Sequence, residues 1–148
     1  MSKQRVISFA LAIFGTFLFY AAGSVEARAA EPAPAPAPQT SREGGVTIIV
    51  APQGFSNEAR TWDFAVTLET HTQPLDDDLA KSSKLLGDGK PYRPLGWEGA
   101  PPGGHHRNGL LRFKAITPPP QAVELQIRRA GEATPRSFRW ILKQDQRE

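Results

Sequence analysis

A two-residue alternation of apolar and polar side chains constrains the fold of this chain more than any other feature of its sequence. The clearest stretch covers residues 61–70, and its apolar members are Trp62, Phe64, Val66 and Leu68. Successive side chains of a β-strand point to opposite faces of a sheet, so this pattern predicts a half-buried strand. The two tryptophans that follow such a pattern, Trp62 and Trp140, are expected in the core.

The same alternation returns at residues 123–127 and 138–142, and strand-forming residues also fill 46–50 and 109–114. With further short stretches, this indicates six or seven strands in about 100 residues, the usual size of one domain. The predicted fold class is all-β: an immunoglobulin-like β-sandwich of about seven strands without the disulfide, over residues 45–143. A small barrel is the alternative, and residues 144–148 form a polar tail.

Turn and breaker residues separate the strands. Asp88-Gly89 is typical of a β-hairpin turn. Prolines recur from Pro52 onward and argue against long helices. The acidic run at residues 76–78 is either the start of one helical turn leading to Leu79 or a polar loop that crosses between sheets.

The first 29 residues have the pattern of a secretory signal. Lys3 and Arg5 precede an apolar run over residues 6–23, and small residues then predict cleavage before Ala30. An uncleaved anchor is the alternative, because about 18 apolar residues lie at the lower limit for a membrane span. Both interpretations predict a periplasmic or secreted domain, in the second case anchored to the inner membrane by its N-terminus.

Residues 30–44 contain an alternating Ala-Pro repeat. Such a repeat adopts extended polyproline conformations and builds no core, so this segment is predicted to be a linker between the signal and the domain.

The charge balance argues against nucleic acid as a partner. The chain has 18 basic and 15 acidic residues, which fall to 15 and 14 when residues 1–29 are removed, a net charge of +1. A near-neutral domain lacks the general attraction that nucleic-acid binding requires. The basic residues near the C-terminus are predicted to lie on a solvated strand face: Arg128, Arg129, Arg136, Arg139, Lys143 and Arg147.

The most unusual segment is the loop at residues 97–107, in which Pro-Pro and Gly-Gly precede two histidines and an arginine. Glycines here permit positive φ or a close backbone approach. The loop is therefore the predicted site for a ligand or protein partner outside the cytoplasm, with these residues: Trp97, Gly103, Gly104, His105, His106 and Arg107. Trp97 either contacts the partner or braces the loop.

A metal site is the alternative function. His71 lies at the end of a predicted strand, and strand ends cluster at the two ends of a sandwich, so His71 can approach His105 and His106. Three imidazoles would suit copper or zinc as the cofactor. The chain contains no cysteine, so thiolate ligands, thiol catalysis and a lipoprotein anchor are excluded.

No catalytic motif is visible. Ser82, Ser83 and Ser137 lack the Gly-x-Ser-x-Gly context of a hydrolase, and the acidic run lacks EF-hand spacing. The sequence therefore predicts a protein that is not an enzyme.

Several strings of the sequence resemble a family of uncharacterised exported bacterial proteins. They are Trp62-Asp63-Phe64, Thr70-His71 and the loop Pro101-Pro102-Gly103-Gly104-His105-His106-Arg107, within a similarity that covers about residues 46–142. The resemblance implies an exported β-sandwich module and implies no activity.

Overall fold

The computed structural model describes residues 36–142. In chain order its elements are β1 (Gln39–Glu43), β2 (Val46–Pro52), β3 (Thr61–Thr70), α1 (Leu79–Ser82), β4 (Ser83–Gly87), β5 (Lys90–Tyr92), β6 (Gly96–Gly99), β7 (His106–Lys114), β8 (Ala122–Ile127) and β9 (Arg136–Ile141). The predicted signal at residues 1–29 and the polar tail at residues 144–148 lie outside the described residues.

These strands form two antiparallel sheets. The larger sheet has the order β1-β2-β3-β7-β6, and the smaller has the order β5-β4-β8-β9. Their inner faces build one core, because the alternation directs every second side chain of β2, β3, β8 and β9 inward. The predicted all-β sandwich is confirmed.

Aromatic side chains fill one end of this core. The exposed fraction is 1% for Trp62, 0% for Phe64 and 6% for Trp140. Phe55, from the loop after β2, packs edge-on against Trp62 with ring centroids 5.3 Å apart. The prediction that Trp62 and Trp140 belong to the core is confirmed.

The predicted linker at residues 30–44 needs a correction, because its last part is the strand β1. This strand pairs with β2 over five residues, from Gln39 opposite Val50 to Glu43 opposite Val46. Its side chains show no apolar alternation, since an edge strand is held through its main chain. The structure therefore has nine strands among residues 36–142, where about seven are predicted.

The chain just before β1 also contacts the other sheet. The carbonyl of Ala37 accepts a hydrogen bond from Trp140 Nε1 at 2.8 Å. The Gln39 side chain accepts from the Arg139 main-chain N–H and donates to the Arg139 carbonyl. The two Gln39 bonds occupy main-chain groups of β9, an edge strand of the smaller sheet.

Two local turn predictions are confirmed. Asp88 and Gly89, with φ of 48° and 84°, join β4 to β5 as a hairpin. Of the two alternatives for residues 76–78, the structure has the helical one. Asp78 caps α1, and its carboxylate accepts from the Lys81 N–H at 3.2 Å.

Within residues 36–142, no helix has the length and apolar character needed to cross a membrane.

Candidate functional site

Three buried arginines close one end of the sandwich. Arg107, Arg129 and Arg136 are 1%, 6% and 2% exposed. We call this end, where β3 and β8 finish and β7 and β9 begin, the arginine pole. Arg107 and Arg136 lie two residues from an inward-facing position of their own strands, so the strand alternation directs them toward the interior. Arg129 follows the end of β8, two residues after the inward-facing Ile127.

Arg107 fastens two loops of the arginine pole to each other. Its Nη1 donates to the carbonyls of Leu75 at 2.7 Å and Asp77 at 2.9 Å, and its Nη2 donates to the carbonyl of Ala100 at 3.3 Å. Burial lowers the pKa of the Arg107 guanidinium, and the charge of Asp77 opposes this shift. Arg107 is among the residues predicted to contact a partner; its side chain is 1% exposed and holds the loop from inside.

Arg129 and Asp77 form a buried ion pair at the same end. The Arg129 Nε to Asp77 Oδ2 distance is 2.9 Å, and both side chains are 7% exposed. The second oxygen of Asp77 accepts from the Ala130 N–H at 2.8 Å, and Arg129 donates to the carbonyl of Pro74 at 2.6 Å. The pair anchors the loop at residues 74–78 to the end of β8.

Arg136 links the two sheets. It donates to the carbonyls of Val46 at 2.8 Å and Glu43 at 2.7 Å in the larger sheet, and it pairs with Glu132 in the turn before β9. The predicted solvated face is therefore wrong for Arg129 and Arg136. It holds for Arg128 and Arg139, which are exposed. Arg136 precedes Phe138 and Trp140 at two-residue intervals, so it lies on the same inward face of the strand. This spacing is the sequence signal that could have identified Arg136 as buried.

Trp97 braces the loop. Its Nε1 donates to the carbonyl of Ala100 at 3.0 Å, and the Arg107 guanidinium lies 5.8 Å from the centroid of its ring. The ring also covers the cross-strand pair of Gly99 and Gly109, where a Cβ on either glycine would come within 2.9 Å of Trp97 Cζ2. Of the two roles considered for Trp97, the structure shows the bracing contacts.

Gly103 and Gly104 both have positive φ, of 110° and 72°. The N–H of Gly103 donates to the carbonyl of Leu75 at 3.0 Å, the same carbonyl that Arg107 binds. The two glycines thus let the chain turn back against the loop at residues 74–78 before it enters β7.

The three histidines lie at the surface of the arginine pole. His106 lies opposite Glu69 in the β3–β7 ladder, with 3.5 Å between His106 Nδ1 and Glu69 Oε1. The His105 carbonyl accepts from the Thr70 N–H at 2.9 Å, so His71 follows one residue later. All three histidines are exposed. Among residues 36–142, no group of three or more His, Asp or Glu side chains is close enough to hold a metal ion.

Two of the serine hydroxyls considered as nucleophiles, those of Ser82 and Ser83, are not arranged with a base. Ser82 Oγ and Ser83 Oγ are buried and have no hydrogen-bond partner among the described residues. A catalytic hydroxyl needs a base within hydrogen-bonding distance, so these two do not form such a pair here.

The fold and this site define a small all-β sandwich module whose exposed loop is braced from within. Neither a protein-family model nor a curated protein sequence matches the chain. The crystal structure of MPT63, a secreted protein from Mycobacterium tuberculosis, is similar to it with a TM-score of 0.40 and 18% sequence identity. That similarity covers 65% of this chain and 87% of MPT63.

Proposed function

We propose that this chain is a non-enzymatic binding module that acts outside the cytoplasm and contacts a protein partner through the exposed loops of the arginine pole. The observation that carries the proposal is the bracing of these loops by buried arginines. A surface that is already fixed before binding loses little conformational entropy when a partner docks.

The bracing reaches the exposed residues through the main chain. The carbonyl of Leu75 accepts from both Gly103 N and Arg107 Nη1, which ties the Pro-Pro-Gly-Gly loop to residues 74–78. The exposed residues of this loop are Pro101, Pro102, Gly104 and His105, with His106 directly after them. They offer a partner two rigid proline rings and two imidazoles, which combine apolar contact area with hydrogen-bonding atoms.

The location follows from the N-terminal sequence. Residues 1–29 have the basic, apolar and small-residue regions of a secretory signal. Alkaline phosphatase fused after residues 1–45 is expected to be active, because this enzyme reports export from the cytoplasm. The same fusion beginning at residue 30 lacks the predicted signal and is the inactive control. Mass measurement of the native N-terminus would distinguish a cleaved signal from an uncleaved anchor. An inactive fusion of residues 1–45 would contradict export.

Partner contact can be tested by site-specific crosslinking in the source cell. A photoreactive amino acid placed at Pro102 or His106 is expected to give one adduct of defined mass. The same group at Glu58 is the control, because Glu58 is exposed in the loop before β3, at the opposite end of the sandwich. No adduct from the arginine pole, or the same adduct from position 58, would overturn the proposal.

Metal binding by His71, His105 and His106 is the second candidate. The observation behind it is the hydrogen bond from Thr70 N–H to the His105 carbonyl, which brings His71 and His105 to the same end of the sheet. Within residues 36–142 the histidine side chains form no group of three that could hold a metal ion, so such a site would require them to move. Titration of the purified protein with copper(II) and zinc tests it. Stoichiometric binding that is lost in His105→Ala and His106→Ala would support a histidine site. Binding weaker than about 100 μM would exclude a dedicated one.

A further inference from the structure

A cleft beside the arginine pole has a lining that the proposed function does not use. It lies between α1, the strands β4 and β5, and the end of β8, and its volume is about 440 Å³. That volume is in the range of small-molecule sites. Its lining residues are Ala80, Lys81, Ser82, Ser83, Lys84, Pro91, Tyr92, Arg93, Gln126, Arg128 and Pro135.

The charge of this lining is one-sided. Four of its eleven residues are basic, namely Lys81, Lys84, Arg93 and Arg128, and none is acidic. Since the exported domain is predicted to be near-neutral, four cations around one cleft are a local concentration of positive charge rather than a general property of the surface.

Most of these cations are available to a ligand. Lys81 pairs with Asp78 at 2.8 Å on the surface. Within residues 36–142, the other three cations form no ion pair at 4.0 Å or less. Glu124 lies near Lys84, but its carboxylate is already engaged by the side chain of Gln126, which lowers the pKa of Glu124.

Part of the remaining wall of the cleft is apolar, and Tyr92 forms its centre. Tyr92 lies in β5, opposite Leu85, and packs against the core. Pro91 and Pro135 extend this wall with rings that lose no side-chain entropy on binding. The cleft therefore combines donors for an anion with a flat apolar surface that suits a ring.

We propose that this cleft binds a small organic anion, a phosphate or carboxylate carried on a ring-sized apolar body. Arg93 offers the planar paired N–H groups that match both anions, and Lys84 adds a point charge. Arg128 adds the donors that its hydrogen bond to the Ala133 carbonyl, at 3.3 Å, leaves free. The body of the ligand lies against Tyr92 and the prolines. This inference goes beyond the proposed function, because the loop at residues 97–107 and the cleft share no residue.

Calorimetric titration of the purified protein with phenyl phosphate and with benzoate tests the proposal. We expect at least one of the two to bind with a Kd below about 1 mM. Phenol and inorganic phosphate are titrated alongside, and each is expected to bind at least about tenfold more weakly than the better probe. If inorganic phosphate bound as tightly as the better probe, the apolar wall would have no role in binding.

Charge-removing variants locate the site. Lys84→Gln and Arg93→Gln are each expected to weaken binding about tenfold, because each removes a charge-assisted hydrogen bond. Lys114→Gln and Arg42→Gln remove the same charges from exposed positions outside the cleft and are expected to change the Kd less than about twofold. All four positions are exposed, so folding is expected to be retained and is checked by near-ultraviolet circular dichroism.

Three further results would overturn the proposal. They are a Kd above about 1 mM for both probes, an equal loss of affinity in the cleft and control variants, and unchanged affinity in both cleft variants. None of these results bears on the crosslinking test of the arginine pole, so the two proposals can fail separately.

Discussion

Arg107 is a buried cation whose acceptors are main-chain carbonyls. Its three acceptors belong to Leu75, Asp77 and Ala100, and no carboxylate of the described residues hydrogen-bonds to it. A guanidinium is suited to this position because its donors lie in one plane and reach several acceptors at once. Arg107 therefore determines loop geometry from a position that solvent does not reach.

Replacing Arg107 with Ala is expected to lower the free energy of unfolding by about 3 kcal/mol, because three carbonyls each lose a donor, one of these bonds is buried, and a cavity remains. Urea unfolding at neutral pH measures the change. Arg60→Ala, at an exposed position, is the control and is expected to cost less than about 0.5 kcal/mol. A loss below about 1 kcal/mol for Arg107→Ala would show that water replaces the guanidinium.

Glu124 contributes stability that depends on pH. The hydrogen bond from Gln126, then that from Ser137, lowers its pKa below the ordinary value, so the folded state favours the ionised carboxylate. A depressed folded pKa gives stability that is present above the unfolded pKa, about 4.3, and is lost as the pH falls through the folded value.

We therefore expect wild type to be more stable than Glu124→Gln at pH 7, with the difference shrinking below about pH 4.3. Urea unfolding from pH 7 to pH 3 measures it. Glu58→Gln, in an exposed loop, is the matched control. A difference that stays constant down to pH 3 would contradict a role for the Glu124 charge.

At the scale of elements, β6 joins the larger sheet through a contact that only glycine permits. A Cβ on Gly109 would come 2.6 Å from the carbonyl oxygen of Glu98 and from the Cα of Gly99. The Trp97 ring lies over this pair and supplies the apolar cover that two missing side chains leave open, as aromatic residues do beside glycines in other sheets. The close approach also places Trp97 beside Arg107.

Gly109→Ala is expected to cost about 2 kcal/mol or more of unfolding free energy, because β6 must move away from β7. Thermal unfolding followed by tryptophan fluorescence measures it. Gly96→Ala, in the paired strand β6, is the control, since a Cβ there meets nothing within 4 Å, and it is expected to be nearly neutral. Equal effects of the two substitutions would contradict the close-approach argument.

At the scale of the whole molecule, the arginine pole is expected to be rigid although much of it is loop. Amide hydrogen exchange measures this, and we expect Gly103 N–H to exchange at least about 100-fold more slowly than the exposed loop at residues 56–58. Arg107→Lys is expected to reduce this protection while the β3 core amides keep theirs. Fast exchange of Gly103 in wild type would contradict preorganisation of the loop.

Much of the architecture was accessible from periodicity, whereas the site was accessible only in part. The alternation through Trp62 and through Trp140 predicts inward faces that the structure confirms. The same alternation places Arg136 inward, but a basic residue on a strand is ordinarily solvated, so its charge argued for the opposite face. The strand β1 was not predicted, because its sequence has no apolar face.

The sequence by itself determined the all-β class, the hairpin at Asp88-Gly89 and the expectation of export, because strand periodicity, turn chemistry and signal patterns are local. Only the tertiary structure decided which charges are buried. Each of Arg107, Arg129 and Arg136 binds acceptors that lie 30 to 93 residues away, in carbonyls and a carboxylate that no local pattern brings together. Because of these distant partners, Arg129 and Arg136 are buried and hold the arginine pole together, although the sequence predicts solvated charges.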